Sequence, residues 1–170
     1  MNRRRFLHSL GRSLLAGAAH AKARRMVKAD IVAEKPSRNI TLFLCGDIMI
    51  GRGIDQILPN PGEPHLREPY LRSAIEYVKL AERASGPIPR PADFRYVWGD
   101  ALSEWERVRP DVRIANLETT ISSRGDPSPN KVIHYRMNPE NIPCLTEASF
   151  DCLVLANNHM LDFGSFGLVQ

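Results

Sequence analysis

The chain has 170 residues, of which 43% are hydrophobic and 25% are charged, a composition typical of a soluble globular protein with one hydrophobic core. Its formal net charge of +4 is unevenly distributed: residues 1–38 carry ten Lys and Arg against Asp30 and Glu34, whereas residues 39–170 carry thirteen basic and seventeen acidic side chains. The aromatic residues are not interleaved with the basic ones, so nucleic acid is excluded as a partner. No apolar run reaches the length of about 20 residues that spans a bilayer, so any membrane association is peripheral or through partner proteins.

Residues 1–38 resemble an export leader followed by a charged linker. Residues 2–8, Asn-Arg-Arg-Arg-Phe-Leu-His, resemble a twin-arginine motif, residues 13–19 form a short and weakly apolar segment, and residues 19–21 offer a small-x-small cleavage site. These features predict a location in the cell envelope, the periplasm or the extracellular space. A disordered basic leader on a cytoplasmic protein is the alternative, since Arg12 breaks the apolar stretch.

From residue 39 onward, short apolar runs alternate with segments whose apolar residues have helical spacing. Strands that alternate with helices are typical of a parallel α/β sheet, so residues 39–170 are predicted to form one α/β domain. The predicted elements are, in chain order, a strand at 40–45, a short helix at 54–58, helices at 70–84 and 97–107, strands at 111–115 and 133–137, a helix at 139–148, a strand at 152–155 and a helix starting near 165.

Polar side chains follow three of the predicted strands at their carboxyl ends. Asp47 comes after the first strand, Glu118 after the second, and Asn157-Asn158-His159 after the last. Ligands of open α/β sheets bind at this edge, and carboxylate, amide and imidazole groups are the donors that divalent cations favour. The pattern predicts one shared site for a metal ion. Taken singly, each residue has a structural alternative as a turn former, a helix cap, a solvated acid or a core histidine.

Four short motifs and two further residues occur in one order between residues 40 and 170: Gly46–Arg52, Asn116–Thr119, Tyr135–Met137, Leu155–His159, Asp162 and Gly164. Together they resemble the CapA family of poly-γ-glutamate capsule biosynthesis proteins, whose domain is similar to the calcineurin-like metallophosphatases. The resemblance implies a metallophosphatase-like α/β sandwich with a mostly parallel sheet. Domains of that family continue well beyond this length, so the chain is expected to be an N-terminal fragment with an incomplete sheet, poor solubility and weak metal binding.

The resemblance also implies roles for individual residues. Asp47 matches the metal ligand of the first motif, and Glu118 is the candidate for the carboxylate that bridges two metals, with Asn116 a weaker candidate beside it. Asn158 matches a metal ligand of the third motif. His159 matches the general acid or transition-state stabiliser of that motif, so the implied cofactor is one or two divalent metal ions.

Three further residues are candidates for substrate binding and proton transfer. Arg52 and Arg136 are predicted anion-binding residues, because a guanidinium grips a phosphate or a carboxylate at two points. For each of them, a salt bridge to a nearby acid is the structural alternative. Asp162, three positions after His159, either orients the imidazole or caps the next helix.

Two functions are compatible with these residues. The first is metal-assisted hydrolysis or transfer at a phosphate or a γ-glutamyl carbonyl of an anionic polymer or a phosphate-containing substrate. Membrane-associated capsule synthesis proteins are the expected partners. The second is a non-catalytic polymer-binding or assembly component of the same machinery, which is favoured because Met49 stands where the metallophosphatase motif has a ligand histidine.

Overall fold

A computed structural model describes residues 39–170. The predicted leader and linker lie outside the described residues, so the export prediction is not tested by them. Within residues 39–170, no helix is long and apolar enough to cross a membrane. The helices and strands are, in chain order, β1 (Leu42–Ile48), α1 (Arg52–Asp55), α2 (Ala74–Ser85), a 3-10 helix (Tyr96–Trp98), α3 (Ala101–Val108), β2 (Val112–Leu117), β3 (Thr120–Ile121), β4 (Arg136–Met137), a 3-10 helix (Pro139–Asn141), α4 (Pro143–Ala148), β5 (Cys152–Val154) and α5 (Gly164–Val169).

Strands β1, β2 and β5 form one parallel sheet in the order β1-β2-β5. Parallel neighbours need crossover connections, and these carry α1 to α3 between β1 and β2, and α4 between β2 and β5. Strands β3 and β4 pair separately, also in parallel, with Thr120 opposite Arg136. The predicted α/β fold with a mostly parallel sheet is therefore confirmed.

Several element boundaries differ from the prediction because of local backbone conformation. Strands β1 and β2 extend to Ile48 and Leu117, so Asp47 lies inside β1 rather than after it. The helix predicted at residues 97–107 is divided at Gly99, whose φ of 50° lies in the left-handed region that glycine tolerates.

Two predicted elements of the second half are shorter than expected. The strand predicted at residues 133–137 is reduced to Arg136–Met137. The helix predicted at residues 139–148 begins as the 3-10 helix and restarts as α4 at Pro143. Proline is suited to this first turn, because its missing N–H would make no helical hydrogen bond there.

An aromatic cluster anchors the helices to the sheet. Trp105 of α3 packs against Phe43 of β1 with ring centroids 5.0 Å apart, and against Trp98 at 5.8 Å. Phe150, which precedes β5, contacts both tryptophans at 5.7 Å, and Trp98 donates from its indole N–H to the carbonyl of Cys144. This packing holds the three parallel strands at fixed positions, which is what the site at their carboxyl ends requires.

The other face of β1 is open to solvent. Leu42 and Leu44 are 55% and 65% exposed, and Val154 of β5 is 41% exposed. Successive side chains of a strand point to opposite faces, so Phe43 and Cys45 face the helices and are half-buried, while these leucines face outward. An apolar sheet face of this kind favours association or aggregation.

Candidate functional site

The carboxyl ends of the three parallel strands bring together most of the predicted site residues. The register of β1 and β2 places Asp47 opposite Asn116 and Ile48 opposite Leu117. Glu118 follows directly, and its main-chain N–H donates to the carbonyl of Ile48 at 3.0 Å. The predicted convergence of the strand ends is therefore present in the fold.

A chain of side-chain amides links Asp47 to the segment that follows β5. Asn116 donates to Oδ1 of Asp47 at 2.6 Å. Asn157 donates to Oδ1 of Asn116 at 3.0 Å and to the carbonyl of Leu117 at 2.9 Å. Its own Oδ1 accepts from the main-chain N–H of His159 at 2.9 Å. These bonds fix the start of the His159 segment relative to β1 and β2.

Asn158, the predicted metal ligand, lies beside this chain of amides without joining it. The residue is exposed, and its main-chain carbonyl accepts from Nζ of Lys131 at 2.5 Å. No hydrogen bond within residues 39–170 engages its side-chain amide, so the amide is available to a ligand. Its role in metal binding stays a prediction.

Asp47 and Glu118 place two carboxylates at this edge of the sheet. The pKa of Glu118 is raised above its ordinary value, first by burial and then by the charge of Asp47 and a hydrogen bond with it. The neighbouring His159 and Lys131 act in the opposite direction. Two carboxylates this close either share a proton or attract a cation, because their charges repel each other in a partly buried site.

The imidazole of His159 is held between two acids. Its Nδ1 lies 2.6 Å from Oδ2 of Asp162, and its Nε2 lies 3.8 Å from Oε1 of Glu118. The side chains of His159 and Asp162 are only 7% and 1% exposed. We assign a proton to Nδ1, because Oδ2 of Asp162 is its nearest partner, whereas Nζ of Lys131, 3.1 Å from Nδ1, donates to Oδ1 of the same carboxylate at 2.5 Å. Phe163, and not Asp162, is the N-cap residue of α5, so Asp162 contacts His159 without capping this helix. Its role in orienting the imidazole stays a prediction.

We call the cluster of His159, Asp162 and Glu118 the His159 centre. It includes three further residues that the sequence analysis did not name as candidates, Lys131, Tyr135 and Thr120. Nζ of Lys131 lies 2.5 Å from Oδ1 of Asp162 and 3.1 Å from Nδ1 of His159. The ring of Tyr135 stacks on the imidazole at a centroid distance of 3.8 Å, and Thr120 donates to the carbonyl of His159 at 2.6 Å. Only Tyr135 had a signal, as part of the motif around Arg136. Lys131 lies in a loop that has no motif.

Arg52, one of the two predicted anion-binding residues, is engaged within the protein. Its guanidinium pairs with Glu68, which is 1% exposed, and lies over the rings of Tyr77 and Tyr135 at 4.3 and 5.4 Å. Its φ of 52° is left-handed, which is a strained conformation for a non-glycine residue. For Arg52, the salt bridge weighed as the structural alternative is present.

Arg136, the other predicted anion-binding residue, has a different environment. It is half-buried, and its guanidinium lies 4.2 Å from the centroid of the Phe163 ring. Within residues 39–170, no hydrogen bond or ion pair engages that guanidinium. Burial lowers the pKa of Arg136 from its ordinary value, while the charges of Glu63 and Asp55 oppose this effect. Arg136 is therefore a cation without a direct acidic partner in the part of the chain that the structure describes.

The donor set at the strand ends fits a divalent cation in part. Asp47 and Glu118 supply hard oxygen donors, and their mutual repulsion favours a bound cation. Across residues 39–170, however, no group of three or more His, Cys, Asp and Glu is arranged to hold a metal ion. Met49 is half-buried and offers no oxygen or imidazole donor.

Comparison with known proteins gives these residues a family context. Residues 41–170 match the family described as bacterial capsule synthesis protein PGA_cap. The chain is 53% identical over 131 residues to the probable polyglutamine synthesis accessory protein from two strains of Mycobacterium tuberculosis, which covers 77% of this chain and 34% of each relative. It is 26% identical over 136 residues to the capsule biosynthesis protein CapA of Bacillus anthracis, covering 80% of this chain and 26% of that protein. The matched part of the chain thus spans about a third or a quarter of the length of these relatives.

Proposed function

This chain belongs to the PGA_cap family of bacterial capsule synthesis proteins, and we propose that its His159 centre carries out metal-assisted hydrolysis or transfer on an anionic substrate of capsule synthesis. The resemblance to the CapA family that the motifs predicted is confirmed. The proposed substrate is poly-γ-glutamate or a phosphate-containing compound. The observation that supports this chemistry best is the Asp47–Glu118 carboxylate pair next to the buried His159–Asp162 pair.

Each residue has a separate part in the proposed chemistry. Asp47 and Glu118 would hold one or two divalent cations, with the free amide of Asn158 as a further ligand. Such a cation, when bound, polarises a phosphoryl or carbonyl oxygen and activates water. Nε2 of His159 gives or takes a proton at the reacting oxygen. Asp162 retains the proton on Nδ1, which keeps Nε2 directed toward Glu118.

Metal analysis tests this proposal. The protein is equilibrated with Mg²⁺, Mn²⁺ or Zn²⁺, freed of excess metal and measured by mass spectrometry of the bound metal. The double variant Asp47→Ala/Glu118→Ala is expected to lose most of the metal. Glu104→Ala/Glu106→Ala is the matched control, because it removes two exposed carboxylates of α3 and should keep the wild-type content. Equal metal content in the wild type and the site variant would contradict the proposal.

A second function, non-catalytic polymer binding or assembly, is favoured by a separate observation. Met49 replaces the histidine of the metallophosphatase motif, and no third His, Cys, Asp or Glu joins Asp47 and Glu118 in a metal-binding group within residues 39–170. The variant His159→Gln distinguishes the two functions, because it keeps the size of the side chain but cannot transfer a proton at neutral pH. Loss of polymer production with retained polymer binding supports catalysis. Retained production supports the binding role.

We also propose that the protein acts at the cell envelope, with membrane-associated capsule synthesis proteins as partners. The support is the motif at the start of residues 1–38, which resembles a twin-arginine signal. Fusion of residues 1–38 to a reporter protein tests export. Arg3→Lys/Arg4→Lys should keep the reporter in the cytoplasm, whereas Arg24→Lys/Arg25→Lys, the control, should not. Export that is insensitive to the first pair speaks against this location.

A further inference from the structure

A cleft of about 240 Å³ lies next to the His159 centre without including it. Arg136 and Phe163 form part of the wall of this cleft, which we call the Arg136 cleft, and Phe163 directly follows Asp162 in the chain. Neither His159 nor Glu118 lines the cleft. Arg136 also lines a second cleft of about 230 Å³. The fold therefore provides a binding space adjacent to the centre but separate from it.

The acids along this cleft are already engaged by other groups. Glu68 pairs with the guanidinium of Arg52. Asp55 is 2% exposed and accepts three hydrogen bonds from main-chain and amide N–H groups. Glu63 is exposed and accepts from the main-chain N–H of His65 at 3.2 Å. None of these carboxylates makes an ion pair with Arg136.

The position of Arg136 is well defined although its charge is not paired. Its main chain belongs to β4, and a Cβ on Gly51 would approach its carbonyl oxygen to 2.5 Å, so the two segments are in close contact. The ring of Phe163, 8% exposed, lies under the guanidinium and restricts its plane. A half-buried, oriented cation without an acidic partner has lost hydration that an anionic ligand would replace.

We propose that this cleft is an anion-binding subsite, in which Arg136 binds a carboxylate group of the substrate. This inference rests on the proposed function and adds to it a binding site that is separate from the His159 centre. A guanidinium binds a carboxylate through two parallel N–H···O hydrogen bonds. An oligomer of γ-linked glutamate presents several such carboxylates and is therefore a suitable probe of the subsite.

Calorimetric titration with defined ligands tests the inference. The probes are a γ-linked glutamate decamer, the same decamer with its carboxylates amidated, and monomeric glutamate. The wild type is expected to bind the carboxylate decamer, and Arg136→Gln to bind it about tenfold more weakly, because a charge-assisted pair is lost. Arg136→Lys keeps the charge but not the planar fork, so its affinity should be intermediate. Arg107→Gln, which removes an exposed arginine of α3, is the matched control and should bind as the wild type does.

Several outcomes would overturn the inference. They are equal decamer affinity of the wild type and the Arg136 variants, equally tight binding of the amidated decamer, and absence of decamer binding by the wild type. Circular dichroism of each variant checks folding, and Arg136→Lys carries the test if Arg136→Gln does not fold.

Metal content separates this inference from the proposed function. Arg136→Gln is expected to keep the wild-type metal content. If Arg136→Gln weakens decamer binding but Asp47→Ala/Glu118→Ala keeps its metal, the Arg136 subsite stands and the metal proposal fails. If the double variant loses metal but Arg136→Gln binds the decamer normally, the subsite fails and the metal proposal stands.

Discussion

The His159 centre and the Arg136 cleft are neighbours, but their charges are balanced in different ways. In the centre, Lys131 meets Asp162, Asp162 meets His159, and His159 faces Glu118. In the cleft, Arg136 has no such partner within residues 39–170. A centre whose groups support one another keeps its geometry before a ligand arrives, whereas an unpaired cation gains most from binding an anion. Under the proposed function, the centre would position the reacting groups and the cleft would bind the anion.

Chain geometry explains how the two regions come to be so close. Tyr135 and Arg136 are consecutive residues in an extended segment, where side chains alternate in direction. Tyr135 stacks on the imidazole of His159, while Arg136 lies over Phe163 at the cleft. Asp162 and Phe163, also consecutive, contact different regions: Asp162 contacts His159, and Phe163 lies under Arg136. Two pairs of neighbouring residues thus serve both regions.

The largest effect on stability is expected from replacing Arg52, which forms an ion pair, rather than Arg136, which forms none with a described residue. Arg52→Met leaves Glu68, which is 1% exposed, without its ion partner, so the free energy of unfolding should fall by about 3 kcal/mol. Arg136→Met breaks no ion pair with a described residue and should cost less than about 1 kcal/mol. Urea unfolding of both variants measures the difference. Equal losses would remove the distinction between the two arginines.

A smaller loss is expected within the His159 centre. Asp162→Asn removes the charge that accepts from Lys131, the main-chain N–H of Tyr135 and His159, and should cost about 2 kcal/mol of unfolding free energy. Glu104→Gln, an exposed control, should change it by less than about 0.5 kcal/mol. The double variant Lys131→Met/Asp162→Asn should lose less than the sum of the single variants, because their contact is shared. Strict additivity would show that the charges are not coupled.

A pH-dependent effect is expected from Glu118. Because its folded-state pKa lies above the ordinary value of 4.5, the folded protein holds this proton more tightly than the unfolded chain does. Its contribution to stability is present below that ordinary value and is lost as pH rises through the folded-state pKa. In metal-free protein, Glu118→Gln should therefore raise the melting temperature near pH 7 but not near pH 4, as followed by scanning fluorimetry. An equal change in melting temperature at both pH values would argue against a raised pKa of Glu118.

The smallest effect on stability is expected from a substitution on the solvent-exposed face of β1, which is remote from the interactions of both regions. Leu44 is 65% exposed, so Leu44→Thr should change the free energy of unfolding by less than about 0.5 kcal/mol. Solubility should rise, because an apolar patch becomes smaller. Ile48→Thr on the same strand is the buried contrast, at 8% exposure, and should cost about 2 kcal/mol or more. A large loss for Leu44→Thr would mean that this face is covered in solution.

The apolar patterns along the sequence predicted the order of the strands and helices correctly, but they did not predict where several of these elements begin and end. Alternating apolar runs and helical spacing predicted the parallel sheet, since both periodicities are properties of neighbouring residues. The break at Gly99 was missed because the apolar spacing continues across it, and Trp98 and Trp105 on its two sides still pack against each other at 5.8 Å. The start of α4 at Pro143 was missed because the helical pattern continues across this residue, although a proline often marks a helix boundary.

By itself, the sequence determined which chemical groups stand at the ends of the parallel strands, because strand direction and connection type put those ends on one edge. It also predicted a contact of His159 with Asp162, three positions later, as one of two alternatives, and the structure contains that contact. Only the tertiary structure decided that Arg52 pairs with Glu68 while Arg136 does not, and that Lys131 reaches Asp162 from a loop 31 residues away. Charge pairing of this kind depends on how distant segments pack, and no periodicity along the chain encodes it.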